Sequence, residues 1–177
     1  MFRRILFLLT LPFAAVITFS AAASAATTIN PAAAPTGTHF SAGTSATCSV
    51  DSSTQLVTCS SYQLAGVGNS NATGSLGATY SATVDCTNNG GMTVPVKASA
   101  QTAPTNTGSL SPKNGKLTVP SLSSGPVPTN AQFEAMATCP NPNWTKHVRG
   151  GTITLSSFTY TLHFAGFTGD FITITGP

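Results

Sequence analysis

The sequence predicts an all-β protein: an antiparallel, immunoglobulin-like β-sandwich of about seven to nine strands held by two disulfides. Three observations predict it. Leu76, Ala78, Tyr80, Ala82, Val84 and Cys86 alternate strictly with small or polar residues, the period-two pattern of a strand with one buried face. Clusters such as Asn88-Asn89-Gly90-Gly91 punctuate short β-prone runs along the chain, as turns between neighbouring strands do. Apolar repeats at helical spacing are almost absent.

The chain opens MFRRILFLLTLPFAAVITFSAAASAATT. Arg3 and Arg4 make a positive start, Ile5 to Phe19 an apolar run, and Ala23-Ser24-Ala25 a small-x-small cleavage pattern. Residues 1–25 therefore read as a secretory signal peptide. The apolar run falls short of the roughly 20 residues that a span needs, and no later stretch is long enough. The expected product is secreted, extracellular and bacterial, with no membrane span after signal removal. Residues 26–44, rich in Pro, Ala, Thr and Gly, read as an extended leader that enters a first strand near Phe40. Residues 45–177 read as a single β-sandwich domain.

Charge narrows the partners. Charged residues make up 6% of the chain, against roughly 25% in ordinary domains. Beyond residue 25, Lys97, Lys113, Lys116, Lys146 and Arg149 are nearly balanced by Asp51, Asp85, Glu134 and Asp170. Nucleic-acid binding needs clustered Lys and Arg; the chain offers only isolated pairs such as Lys146 and Arg149, so that class is excluded. The surface must be largely Thr, Ser, Asn and Gly, which suits hydroxyl-rich partners. A cell-envelope polysaccharide or another extracellular protein is the expected partner.

The elements follow in order. SATCSVDSSTQLVTCSSYQLAG (45–66) holds two β-prone runs around the polar turn Asp51-Ser52-Ser53-Thr54. Folding back there sets Cys48 opposite Cys59, and an even cysteine count in an exported chain reads as disulfides. Residues 76–86 and the set Met92, Val94, Val96, Ala98 and Ala100 form a hairpin of two long strands. Pro95 on the outer face of the second marks it as an edge strand or a bulge. Lys116 to Ser121 is a short strand between two loops. Phe133, Ala135, Ala137 and Cys139 alternate as in a strand, with a short helix over AQFEAMAT as the other reading. Either way Cys139 can reach Cys86, and the bridge would be worth roughly 4 kcal/mol in the chain-entropy estimate. In the last segment Ile153 and Leu155 face one way, then Phe158, Tyr160, Leu162 and Phe164 continue one residue out of phase. Such a slip is how a β-bulge appears in sequence. Phe171 to Thr175 returns as the final strand.

The densest chemistry lies in CPNPNWTKHVRGG (139–151). Pro140 and Pro142 force extended or turn geometry, and Gly150-Gly151 permits a tight entry to the next strand. Much of the stretch is explained as a rigid corner beside a disulfide. As a binding loop it would offer Trp144 as a stacking face, with Asn143, Lys146, His147 and Arg149 as polar contacts. No residue is assigned a catalytic role. Four carboxylates are few for a glycosidase pair, no nucleophile elbow accompanies His39, His147 or His163, and His163 alternates outward. Cysteine and histidine spacings do not fit zinc, so no metal and no cofactor is expected. The sequons at Asn71 and Asn143 are frequent by chance in a Thr-rich chain.

TVDCTNNGG, SPKNGKLTVPSLS, ATCPNPNWT and SFTYTLHFAGF resemble small secreted β-proteins of high-GC Gram-positive bacteria, a resemblance that carries neither activity nor site. The close pair Cys48 and Cys59 is similar to that of neocarzinostatin-type apoproteins, low-charge sandwiches that hold an apolar ligand. Cys86 and Cys139 do not fit that pattern. The resemblance implies an alternative function as a small apolar-ligand carrier, with Tyr80, Phe158, Tyr160 and Phe164 lining a cleft. The leading expectation is a non-catalytic secreted binding protein, and a small hydrolase ranks below both.

Overall fold

The computed structural model describes residues 25–177; the signal peptide expected over residues 1–25 lies outside them, save for Ala25. The strands are β1 (Ala26–Ile29), β2 (His39–Phe40), β3 (Cys48–Val50), β4 (Val57–Cys59), β5 (Tyr62–Ala65) and β6 (Ala72–Thr87). They continue with β7 (Thr93–Gln101), β8 (Thr105–Asn106), β9 (Lys116–Val119), β10 (Leu122–Ser123), β11 (Thr145–Phe164) and β12 (Ile172–Gly176), and one helix, α1, spans Asn130–Met136. The strand count exceeds the expectation because several strands are only two or three residues long.

The alternation that predicts β6 is complete: every second residue from Ala72 to Cys86 is buried and each residue between is half-buried. Strands β1-β12-β11-β6-β7 form one antiparallel sheet in that order, with β8 also on β6. Two three-stranded sheets, β10-β4-β3 and β2-β5-β9, send Val57, Tyr62, Leu64, Leu117 and Val119 into one apolar cluster with Leu76, Tyr80, Tyr160 and Leu162. The arrangement is sandwich-like: one long sheet packed on its inner face by two short ones. β7 ends the long sheet, and Pro95 is exposed on it, where a missing N–H costs least. Met92, expected in the inward set of β7, instead sits exposed in the preceding turn.

The disulfides are Cys48–Cys59 and Cys86–Cys139. Cys48 and Cys59 are direct cross-strand partners, because the Asp51 carboxylate folds the chain between them. It accepts hydrogen bonds from Ser53 N (2.9 Å) and Thr54 N (2.7 Å), an Asx-type turn. Gln55 leaves that turn at φ 60°. It accepts a hydrogen bond from the Tyr80 hydroxyl on its carbonyl and one from Leu155 N on its side chain.

Three features depart from the sequence reading. Residues 130–136 are a helix, not a strand. The Thr129 hydroxyl accepts from Gln132 N and the Gln132 side chain accepts from Thr129 N, a capping box; Thr-x-x-Gln is its sequence signature. The segment read as a leader is built into the fold. β1 pairs with β12 and β2 with β5, Ala33 is fully buried, and Gly66 (φ +74°) packs against the Gly37 backbone so closely that a Cβ would collide. Finally, β11 is a single long strand carrying two irregularities. The expected bulge lies between Leu155 and Ser157, and a larger one lies between Val148 and Ile153, where Gly150 and Gly151 both take left-handed φ.

The core contains a close buried hydroxyl pair. The Tyr62 and Tyr160 hydroxyls lie 2.8 Å apart. Burial pushes both above the usual tyrosine range, Tyr62 strongly, so both stay neutral and bond to each other. Tyr62→Phe or Tyr160→Phe strands the remaining hydroxyl and should cost about 1–3 kcal/mol. The double substitution should cost less than the sum of the two singles. Urea unfolding of the four proteins checks this; simple additivity would mean that the hydroxyls do not satisfy one another.

Candidate functional site

Asn143, Trp144, Lys146, His147 and Arg149 lie where β11 begins, and the structure places them differently from a loop. Thr145 to Val148 pair with Thr87 to Val84 of β6. Lys146, His147 and Arg149 are therefore strand residues, and the connection from α1 is Ala137 to Trp144.

The charged members mostly serve the fold. Lys146 Nζ donates to the Ala137 carbonyl at 2.7 Å, at the C-terminal end of α1, where a cation complements the exposed carbonyls. Val148 N donates to Glu134 Oε1 at 3.0 Å, and His147 Nδ1 lies 4.0 Å from the same oxygen. Together these contacts moor α1 to β11. Arg149 Nε reaches both oxygens of Asp85 at 3.1 and 3.0 Å, and Nη2 reaches Oδ1 at 2.6 Å.

Trp144 and Asn143 have a different setting. Trp144 is half-buried and Asn143 exposed. With Asn141 they form one wall of a surface groove of about 350 Å³, and Asn88, Asn89 and Gly90 form the other. The Cys86–Cys139 bridge joins the two segments that lead into these walls, two residues before Asn88 and before Asn141. Asn88 Oδ1 accepts from Gly90 N and Met92 N, and Asn141 Oδ1 accepts from Asn143 N, each at 2.9 Å. The carbonyl ends thus hold the turns, and the amide NH2 ends of Asn88 and Asn141 keep their donor capacity, with no protein partner among the described residues. The β6–β7 turn is the part of this site that the sequence reading did not assign. Its signal was present: a Cys86–Cys139 bridge puts the residues a few positions beyond each cysteine within reach of one another.

Most of the other candidate chemistry is tied up. Glu134 and Asp85 are engaged as described, Asp51 holds its turn, and Asp170 lies 3.6 Å from His163 Nδ1. Among the described residues no three His, Cys, Asp or Glu side chains are grouped to hold a metal ion. Tyr80, Phe158, Tyr160 and Phe164, expected to line a carrier's cleft, are 0–3% exposed and belong to the core. No family model, curated protein or solved structure matches this chain.

Hydrogen bonds from Arg149 hold the Asp85 carboxyl below its usual range, and hydrogen bonds from Ser53 and Thr54 do the same for Asp51. A carboxylate with a depressed folded-state pKa stabilises above its unfolded pKa, about 3.9, and loses that contribution as pH falls through the folded value. The thermal midpoint should therefore change little between about pH 5 and 7 and fall on further acidification. Asp85→Asn should make that fall shallower; melting curves across the acid range check it, and an unaltered slope would refute the assignment.

Proposed function

We propose that this is an exported, non-catalytic binding protein that recognises hydroxyl-rich polymer of the cell envelope at the Trp144 groove. The observation that carries the reading is a half-buried Trp144 set among asparagines in a groove braced by a disulfide. An indole offers a flat apolar face with a polar edge, which suits the C–H face of a sugar ring. Amides donate and accept in pairs, matching sugar hydroxyls that do both. Walls fixed by Cys86–Cys139 and by the Asn88 and Asn141 turns lose little entropy on binding.

Export is supported by the residue 1–25 pattern and by two disulfides, which persist in oxidising compartments. Among the described residues no helix is long and apolar enough to cross a membrane. The non-catalytic reading is supported by three of the four carboxylates, Asp51, Asp85 and Glu134, which are engaged in holding a turn, a strand and the helix. The apolar-carrier reading has less support, because the four rings it relies on are packed in the core.

A single tryptophan makes the test direct. Titration with isolated envelope polysaccharide should shift and protect Trp144 emission. Trp144→Ala should weaken retention on that polymer about tenfold or more, as loss of a central aromatic anchor does, without altering the melting curve. Unchanged emission together with unchanged retention of the variant would overturn the proposal. Retention of a purified extracellular protein in place of the polymer would redirect it to that partner.

A further inference from the structure

A second groove, of about 550 Å³, lies on the long sheet where β7, β6 and β11 run side by side. It is lined by Ser81, Thr83, Lys97, Arg149, Thr152 and Thr154. The register explains the grouping. Lys97 is the cross-strand partner of Thr83, and Thr154 that of Ser81. The bulge at Gly150-Gly151 carries Arg149 and Thr152 to the same place, since the pairing resumes only at Ile153.

Two of the few cations in this low-charge chain therefore share one groove, and no carboxylate lines it. Lys97 makes no ion pair among the described residues. Arg149 is bound to Asp85 through Nε and Nη2, which fixes the guanidinium plane and leaves its Nη1 end without a protein partner among the described residues. A fixed guanidinium gives up less freedom on binding a planar or tetrahedral anion than a mobile one does. Asp85 neutralises one of the two cations, leaving one net positive charge. The Ser81 and Thr154 hydroxyls lie 3.3 Å apart, a loose contact with donor and acceptor capacity to spare.

We propose that this groove binds an anionic group carried on a hydroxyl-rich chain, a carboxylate or phosphate of an acidic polysaccharide or polyol polymer. Lys97 and the Arg149 Nη1 edge take the anion, and the four hydroxyl side chains take neighbouring hydroxyls of the chain. The site is distinct from the Trp144 groove, and the inference stands whether or not that groove binds.

The test compares the purified exported protein for binding to polygalacturonate, poly(glycerol phosphate), neutral dextran and single-stranded DNA by calorimetry. At least one of the two acidic polymers should bind more tightly than dextran and weaken as salt rises. Lys97→Gln should reduce that binding about tenfold or more, the loss expected for one charge-assisted contact. Lys113→Gln, an equal change of net charge at an exposed site outside the groove, should leave it intact. Preference for polygalacturonate assigns a carboxylate ligand, and preference for poly(glycerol phosphate) assigns a phosphate. Binding of dextran as tightly as the acidic polymers, equal losses in the two lysine variants, or DNA binding as tight as either polymer would each overturn the inference.

Discussion

The fold depends on one long antiparallel ladder between β6 and β11, from Thr145 opposite Thr87 to Phe164 opposite Ala72. Every other side chain of β6 points into the core. A one-residue slip in pairing would turn that whole set outward. The apolar cost of such a slip holds the register, and both candidate grooves depend on it. The Trp144 groove exists because the ladder ends where the Asn88–Gly90 turn and the Cys139 connection meet. The cationic groove exists because Thr83, Lys97 and Arg149 arrive at the same level of the sheet.

β11 buries Val148 near one end and Phe158, Tyr160, Leu162 and Phe164 near the other, and between them it absorbs extra residues twice. A bulge frees backbone groups that the ladder would otherwise pair, and here side chains from elsewhere serve them. Gln55, from the β3–β4 turn, accepts from Leu155 N. Glu134, from α1, accepts from Val148 N just before the glycine pair. The irregular points of the long strand are thus the points where the hairpin and the helix are moored to it. Irregularity and assembly are the same feature at these positions.

Much of this was legible in the sequence. The strict alternation at 76–86, both disulfide pairings, the edge character of β7 and the phase slip after Leu155 all rest on local patterns that the structure retains. The helix was less so: Phe133, Ala135 and Ala137 fit an alternating strand, and the Thr129–Gln132 capping pair is the signal that separates the two. The region 26–44 looked like a leader because Pro, Ala and Gly carry little periodicity. Its place comes from long-range pairing with β12 and β5, which no local window contains. For the same reason the stretch from Asn143 to Arg149 looked like one loop. The sequence shows which side chains are present, but it is pairing with β6 that commits Lys146, His147 and Arg149 to the strand and leaves Trp144 in the groove.

The pairing of β1 with β12 sets the order in which the molecule can be finished. Ala26 lies opposite Thr175, so the first strand of the described chain waits for a partner far along the sequence. Contacts of such sequence separation form late, because loop closure precedes any gain from pairing. In a chain that emerges N-terminus first, β6, β7 and much of β11 can assemble while β1 has no partner at all. A chain cut short before Ile172 would lack Ile172 and Ile174, both buried in the finished core, and would leave one side of β11 and all of β1 with open hydrogen-bonding edges. Loss of β12 would thus expose a strand edge beside β11, a template for pairing with other chains.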